Sequence, residues 1–537
     1  MNFRSEVVRL ASKVDQVDNL VDLYEFTFGQ NPWTSDLRVD NEIQQFNLDE
    51  TERRGYVLFP LIPGYHTLCL RVCVLGHALR TRGYEPIILR DNLDLPERPE
   101  ITISDKQAHI SIEGCRVRSE AYPDLFNLKT HNIGEIISGD YPDIDIQSCS
   151  VEELKNFDYK KNNISETAMS STKKYLKKYT IDLTDSEERA VFENFLYGGI
   201  ILVDSTQKLL NKYNIEATIV SEPTYIQGNV PMKVCKRNEV PTYTQALGYH
   251  QNELIFGKSS NRNYMPQFDN TKIITQAINT QLSEKQLKRI DRIMTERKGG
   301  KITQTYHTVN TDISVENSSS LLVGIFSHLL WDGALEPEQA LYDNIYDWLD
   351  ETIKVAAEKE NIQFIIKSHP AEEIRGTNES TGEWIEQNYS TLPDNIEFLP
   401  PDTDIDTYAL IDDLDAGIVY ASTVGLEMAY EGIPVVTGGY PPYHGFNITY
   451  DPSTKTKYRE AIRNIEELDS TEKRNKRAQR FAHFLFVCKH MDFPPLNESK
   501  KRITHNEIID ERGPYIPIVE QILADEDIVQ PDCFNLK

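Results

Sequence analysis

The sequence predicts an α/β protein built from two doubly wound, Rossmann-like domains whose sheets turn their carboxyl edges toward a cleft. Three observations predict it. Short apolar runs rich in β-branched residues recur at 56–60, 86–89, 217–220, 321–326, 364–366 and 416–420. Each leads through a small polar turn into a helical pattern, the βαβ alternation from which parallel sheets are made. A chain of 537 residues is also too long for one core, and the polar run between Glu284 and Ser319, with Gly299-Gly300 and Ser318-Ser319-Ser320, divides it. The expected layout is a helical extension over 1–50, a first domain with insertions over 51–310, a second over 315–490, and a tail over 491–537 packing back on the first.

Composition narrows the function. A hydrophobic content of 39% with 26 glycines is that of a globular chain. No apolar run approaches the ~20 residues a membrane-spanning helix needs, and the N-terminus lacks the apolar core of a signal peptide, so a cytoplasmic site is expected. The formal charge of -27 argues against wrapping nucleic acid or adhering to anionic lipid by charge alone. A salt-rich cytoplasm is one setting that tolerates such a surface, through screening. The seven cysteines are odd in number and scattered, and Cys69 and Cys73 lie one helical turn apart in an apolar pattern. They read as reduced core residues rather than metal ligands.

Taken in order, residues 6–26 suggest one or two helices without chemistry. The run 56–60 is the first strand, and Pro63-Gly64-Tyr65-His66 turns from it into a helix with Leu68, Val72, Leu75 and Leu79 at helical spacing. Gly83 closes that helix and 86–89 returns as a parallel strand. His66 at the turn reads either as a capping or surface histidine or as a general base, for which an imidazole suits neutral pH. Short strands are expected at 101–103 and 109–112, an inserted loop or exposed helix at 160–180, and a long amphipathic helix at 187–213. The strand 217–220 then ends at Glu222, a helix runs through Cys235, and a strand follows at 240–243. Glu222 serves either the dipole of the following helix or, as a carboxylate at a strand's carboxyl end, the chemistry.

The second domain opens with the strand 321–326, whose turn carries Ser327, His328, Trp331 and Asp332. After a helix with Leu341, Ile345, Trp348, Leu349, Ile353 and Ala356 on one face, the strand 364–366 ends in Lys367-Ser368-His369-Pro370. Pro370 suits a helix start and His369 a cap, yet a cation and an imidazole at a strand's carboxyl end are also what a pyrophosphate needs. A strand at 396–399 and a helix at 404–411 follow. The run 416–420 then leads through Ala421-Ser422-Thr423 into a helix bearing Gly425 and Glu427, which Gly432 stops before the strand 434–437 and Gly438-Gly439. Ser422, Thr423 and the amides after them stand at a helix N-terminus, where open α/β sheets take phosphorylated ligands. Glu427, one turn further on, is placed to accept from ribose hydroxyls. Residues 440–445 form an aromatic, Pro-rich loop over this site, and the Lys/Arg run 473–480 reads as a solvated helix face.

Ser422-Thr-Val-Gly-Leu-Glu427 with Gly432-Ile-Pro-Val-Val436, Lys367-Ser-His-Pro370, and Trp331-Asp332 after a strand together resemble the capsule polysaccharide biosynthesis family, including its Kdo transferases. The resemblance spans about 320–465, and the first domain follows by layout. It implies a glycosyltransferase of the GT-B architecture, moving a sugar from a nucleotide-sugar donor to a glycan or lipid-linked acceptor in surface polysaccharide synthesis. It further implies donor-phosphate contacts at Lys367, His369, Ser422 and Thr423, with Ser327, His328 and Gly425 lining the same site and Glu427 on the ribose. Proton abstraction falls to His66, with Glu222 second, although Tyr65 is one residue more than the related Gly-His turns carry. The first-domain carboxylate motifs of Kdo transferases have no counterpart, so CMP-Kdo is not implied as donor. No cofactor and no metal is expected: no Asp-x-Asp stands at a strand end, and Asp402, Asp404 and Asp406 read as turn and cap. Peripheral association with membrane glycan machinery fits such an acceptor. Alternatives are another GT-B enzyme, either a CDP-polyol phosphotransferase or a sugar-nucleotide epimerase, and a non-catalytic glycan-binding protein.

Overall fold

The computed structural model describes residues 37–62, 65–92, 94–96, 112–137, 142–250, 252–259, 270–299, 321–329, 331, 341–497, 502–531 and 533–534. They gather into two compact units. The first draws on Met1–Leu176, Ile181–Asn261 and Met491–Val529, the second on Lys177–Thr180, Arg262–His490 and Gln530–Lys537. The helix Glu284–Lys298, expected in the first domain, belongs to the second unit.

In the first unit the chain runs through β1 (Gly55–Leu61), α1 (His66–Arg80), β2 (Tyr84–Arg90), α2 (Ile112–Leu125), β3 (Thr130–Asn132), α3 (Ser165–Leu176), α4 (Ser186–Lys212), β4 (Ile215–Ser221), α5 (Ile226–Arg237), β5 (Thr242–Leu247) and β6 (Glu253–Lys258). The sheet order is His490–Asp492, β6, β5, β4, β1, β2, β3, and β1 to β5 are mutually parallel while β6 runs antiparallel to β5. From β1 the chain winds one way to β2 and β3 and the other way to β4 and β5. The sheet thus reverses between β1 and β4, the place where an open α/β sheet leaves a crevice. Helix α1 is buried from Leu68 to Arg80 rather than on one face, because Ile518, Val519 and Ile522 of the tail share its core.

Three expectations differ here. The expected strands at 101–103 and 109–112 lie outside the described residues except Ile112, which opens a helix. The polar stretch 160–180 contains a packed helix, α3: Ser171 and Thr172 donate to the carbonyls four residues back, at 3.0 and 2.8 Å, and Thr167 donates to Asn229 at 2.8 Å. Short hydroxyl side chains that satisfy themselves locally can be buried without an apolar pattern. The strand expected at 240–243 runs from Thr242 to Leu247 and pairs with β6, which the sequence reading passed over.

The second unit contains α6 (Glu284–Lys298), β7 (Leu321–Phe326), α7 (Ile345–Ala357), β8 (Ile362–Lys367), β9 (Ile396–Leu399), α8 (Thr407–Asp412), β10 (Ala416–Val419), α9 (Val424–Glu431), β11 (Val435–Thr437) and α10 (Glu472–His483). Its sheet is wholly parallel in the order β9-β8-β7-β10-β11, so the reversal falls between β7 and β10. The strands are apolar on both faces, as sheets covered on both sides require. Trp348 of α7 is fully buried and donates to Tyr458 at 2.6 Å.

The run 473–480 is less solvated than expected. Along α10, Arg474 and Arg477 donate to the carbonyls of Thr449 and Phe446 at 2.6 and 3.1 Å, which ties the loop after β11 to the helix, and Arg480 donates to the carbonyl of Ile278, in the helix Thr271–Asn279, at 3.0 Å. The cysteines also differ. Cys69, Cys73, Cys115 and Cys235 are free and buried, but Cys488 and Cys533 of the second unit form a disulfide with Cα atoms 5.2 Å apart. Closing a loop across a separation of 45 residues restricts the unfolded chain by about 4 kcal/mol. Reduction, or Cys533→Ser, is accordingly expected to lower the thermal midpoint of the oxidised protein, read by calorimetry with and without dithiothreitol. An identical midpoint in both conditions would rule the bond out.

Candidate functional site

Parallel pairing fixes where the second unit collects its polar groups. Phe326 of β7 is in register with Lys367 of β8 and with Val419 of β10, so Ser327, Ser368-His369 and Tyr420 to Ser422 leave the sheet along one edge at the reversal. Ser327 is buried; its amide donates to the Lys367 carbonyl at 3.1 Å, and its hydroxyl accepts from Thr381 at 3.4 Å. His328 donates from Nδ1 to the Leu329 carbonyl at 3.2 Å, and its ring centre lies 6.1 Å from that of His369. Asp332 of the expected Trp-Asp pair lies outside the described residues, while Trp331 is buried against Leu329 and Ala371.

Lys367 is the most telling group of this edge. Its residue is 3% exposed, yet among the described residues no hydrogen bond or ion pair takes up its Nζ. Burial pushes its ammonium down to about 8, opposed by the carboxylate of Asp406, which itself caps α8 by accepting from Tyr408 and Ala409. His369 accepts at Nδ1 from the amide of Ala371 at 3.0 Å, so the neutral ring carries its proton on Nε2. Burial first, then the positive groups of His328, Arg375 and Lys367, push its pKa down to about 3. The cap reading of His369 is met at Nδ1, which the amide of Ala371 occupies. The positive charge expected of this pair comes from Lys367 alone.

At the exit of β10 the first turn of α9 is tighter than a plain helix start. Ser422 Oγ accepts from the amide of Val424 at 3.2 Å, the Ser422 carbonyl takes the amide of Gly425 at 3.3 Å and the hydroxyl of Tyr443 at 2.6 Å, and Leu426 donates to Thr423 at 2.9 Å. The amides expected to face a phosphate are therefore occupied. What remains is the proton of the Ser422 hydroxyl and the Thr423 hydroxyl, which no described residue engages. Gly425 serves close approach, since a Cβ there would lie 2.2 Å from the Tyr443 hydroxyl. Gly432 ends the helix at φ 90°, a left-handed position that suits glycine.

Glu427 is neither exposed nor open. It is 3% exposed, and its Oε1 accepts from Arg297 at 2.7 Å; Arg297 of α6, 4% exposed, lies 4.4 Å from the ring centre of Phe486. Burial, and then the Glu427 carboxylate, hold the phenol of Tyr408 above the usual range. One oxygen of the carboxylate read as a ribose acceptor is held in a buried ion pair, while its Oε2, also buried, meets no hydrogen-bond partner. Arg297 was legible: it falls at the next turn of the buried stripe Ile290, Ile293 and Met294, where a charged residue requires a partner.

In the first unit, the residues after β1 and β4 flank the other reversal. His66 is exposed at the first position of α1, and its Nδ1 forms a short hydrogen bond with the hydroxyl of Tyr122 on α2. Glu222 follows β4 with φ 51°, a left-handed conformation that a non-glycine residue adopts at some cost. Its Oε1 accepts from the Tyr65 hydroxyl at 3.3 Å. A Cβ at Gly228 would meet the Ser221 carbonyl at 2.1 Å, so only glycine lets α5 close on this strand end. Pro63 and Gly64 lie outside the described residues.

Residues 337–475 match the sequence profile of the capsule polysaccharide biosynthesis protein family. No curated protein matches the chain. Among solved structures, it is similar to the beta Kdo 2,4 transferase of Thermosulfurimonas dismutans KpsC at 12% identity and a TM-score of 0.36, over 53% of this chain and 83% of that one. The beta Kdo 2,7 transferase of the same KpsC shares 15% identity at a TM-score of 0.34, over 54% and 82%. Anabaena HepE in complex with UDP-glucose shares 12% at 0.29, over 83% and 98%. At these scores the likenesses carry no argument about chemistry. Among the described residues no helix is long and apolar enough to cross a membrane.

Removing one member of a buried ion pair leaves the other uncompensated, at a cost of about 3–5 kcal/mol. Arg297→Met is therefore expected to lower the denaturant midpoint strongly, and Arg297→Met with Glu427→Leu to recover most of the loss. Equal midpoints for the wild type and Arg297→Met would show that the pair does not form.

Proposed function

We propose that this protein is a glycosyltransferase that moves a sugar from a nucleotide-sugar donor to a glycan or lipid-linked acceptor in the synthesis of surface polysaccharide, without a metal. The observation that carries the proposal is the unpaired ammonium of Lys367, buried at the carboxyl edge of a parallel sheet at its reversal, inside the stretch that matches the capsule family profile.

In such a transfer the bond from the anomeric carbon to the donor phosphate breaks through an oxocarbenium-like transition state, and negative charge grows on the departing phosphate. Lys367 supplies the positive charge, His369 an Nε2–H donor, and Ser422 and Thr423 hydroxyl donors. Losing one such preorganised donor typically costs about 3 kcal/mol of barrier. Ser327 and His328 line the same edge. Glu427, held through Oε1 by Arg297, keeps its Oε2 as the acceptor for a ribose hydroxyl. The acceptor hydroxyl gives its proton to the first unit. His66, whose Nδ1 forms a short hydrogen bond with Tyr122, is the first candidate for that proton, and Glu222 is the second.

The test is thermal stabilisation by CMP, CDP, UDP, GDP and their sugars, on wild type, His369→Ala and Lys367→Ala. Ligand at about a hundred times its dissociation constant adds ~2.7 kcal/mol. One nucleotide class is expected to stabilise wild type and to lose its effect in both variants; no response from any of them would overturn the proposal. The charge state adds a pH dependence. Since burial sets the free Lys367 near 8, the ammonium is mostly present at pH 7 and lost as pH rises through 8. Nucleotide affinity should fall between pH 7 and 9 in wild type and stay level in Lys367→Ala, where that titration is absent.

A further inference from the structure

We propose that the first unit binds a neutral saccharide through a vicinal diol, held by the side chains of Gln245, Ser221 and Tyr515 at the carboxyl end of β4 and β5. Naming that saccharide the acceptor rests on the proposed transfer; the subsite itself stands on topology and burial.

Strands β4 and β5 pair in parallel, with Ser221 directly opposite Gln245. Side chains two residues apart on a strand share a face. Gln245 therefore lies on the face of Tyr243, and Ser221 on that of Ile219, both members of the core that α1 shares with the tail. The tail covers this face of β5, because the Tyr243 hydroxyl donates to the carbonyl of Ile522, in the helix Tyr515–Leu523, at 3.2 Å. The first residue of that helix belongs to the carboxyl end of the strand. The Phe493 amide donates to the carbonyl of Asn252, in the turn between β5 and β6, at 2.6 Å, and the rings of Phe493 and Tyr515 lie 5.4 Å apart. Ser221, Gln245 and Tyr515 are thus gathered at one end of one face.

All three are buried, and their side-chain polar atoms meet no hydrogen-bond partner. Gln245 is 1% exposed with both Oε1 and Nε2 unsatisfied, and the hydroxyls of Ser221 and Tyr515 are unsatisfied as well. Polar groups of the opposite face behave differently: Thr218 and Thr244 donate to the carbonyls of Leu58 and Gly257 at 3.1 and 3.3 Å. A carboxamide carries two donors and two acceptor sites, and leaving them all unmet in a core is costly. What meets them comes from outside the chain, as water or as a ligand hydroxyl that displaces it.

Position and chemistry favour the ligand. Strand β4 borders β1 at the reversal of the sheet, where open α/β sheets take their ligands, and Glu222, the second candidate for the acceptor proton, directly follows Ser221. One carboxamide offers a donor and an acceptor side by side, which matches a vicinal diol, where one hydroxyl donates and its neighbour accepts. The two hydroxyls of Ser221 and Tyr515 add bonds of either sense. None of the three groups is charged, so a neutral sugar suits them better than an anion.

The probes are methyl glucoside and methyl galactoside, with their fully O-methylated forms as controls, titrated into the full-length protein and read by saturation-transfer NMR. At least one glycoside is expected to bind, and neither control. Gln245→Leu, close in volume and without polar atoms, should weaken the glycoside by roughly tenfold, and Ser221→Ala and Tyr515→Phe several-fold each. The last two remove a single hydroxyl without changing shape, so they decide the matter where Gln245→Leu packs poorly. The inference is overturned if neither glycoside binds, if the O-methylated controls bind equally well, or if the variants bind as wild type does, which would leave these groups to resident water. Failure of the transferase reading would appear elsewhere, as the absence of any nucleotide response in wild type.

Discussion

Everything chemical in this protein depends on the geometry of parallel pairing. A strand that runs parallel to its neighbours exits at the same edge as they do, so the residue types that follow each strand are gathered without any need to be near one another in sequence. Lys367, Ser327 and Ser422 are separated by up to 95 positions, and register alone brings them to one edge. The apolar strands that pay for this order are buried on both faces, which leaves the exits as the place where polar groups can stand without breaking the core. The reversal of winding then opens one gap per sheet, between β7 and β10 in one unit and between β1 and β4 in the other.

That logic also explains what was legible. The strands read at 321–326, 416–420 and 56–60 were plain in the sequence because a doubly covered strand must be continuously apolar, and the turns after them were plain because small and polar residues interrupt those runs. Gly432 was legible as a stop because a left-handed residue is required there. The helix α3 was not, since its burial is achieved by hydroxyls bonded to their own backbone rather than by an apolar stripe. The antiparallel β6 was passed over because it breaks the βαβ rhythm on which the reading relied. The disulfide could not be read at all, for its two cysteines are 45 positions apart and nothing local marks them as partners.

The site was legible in its residue types and less so in their states. His369 was read either as a cap or as an imidazole beside a cation; its Nδ1 does serve as a cap, and burial lowers its basicity so that the ring is neutral. Ser422 was read together with free helix amides, and those amides prove to be bonded within the turn. Glu427 was read as facing a ligand, and one of its oxygens faces Arg297. Each difference has the same physical origin. A sequence shows which group stands at an edge, but its protonation and its free valences depend on partners supplied by distant segments, α6 in the case of Glu427.

Two buried charges show how those partners differ. Arg297 has a carboxylate and is thereby neutralised, which makes it part of the scaffold. Lys367 forms no ion pair among the described residues, with the carboxylate of Asp406 only within electrostatic reach, and it stands in register with the exit of β7, which borders its sheet's reversal. A charge left unpaired in low dielectric costs stability, and such a cost persists in a fold only where something is gained for it. On the proposed transfer, the ammonium left without an ion pair is the place for the negative charge of the donor. The neutral His369 beside Lys367 fits the same scheme, because a second positive charge in that pocket would push the lysine's proton off and remove the attraction it provides.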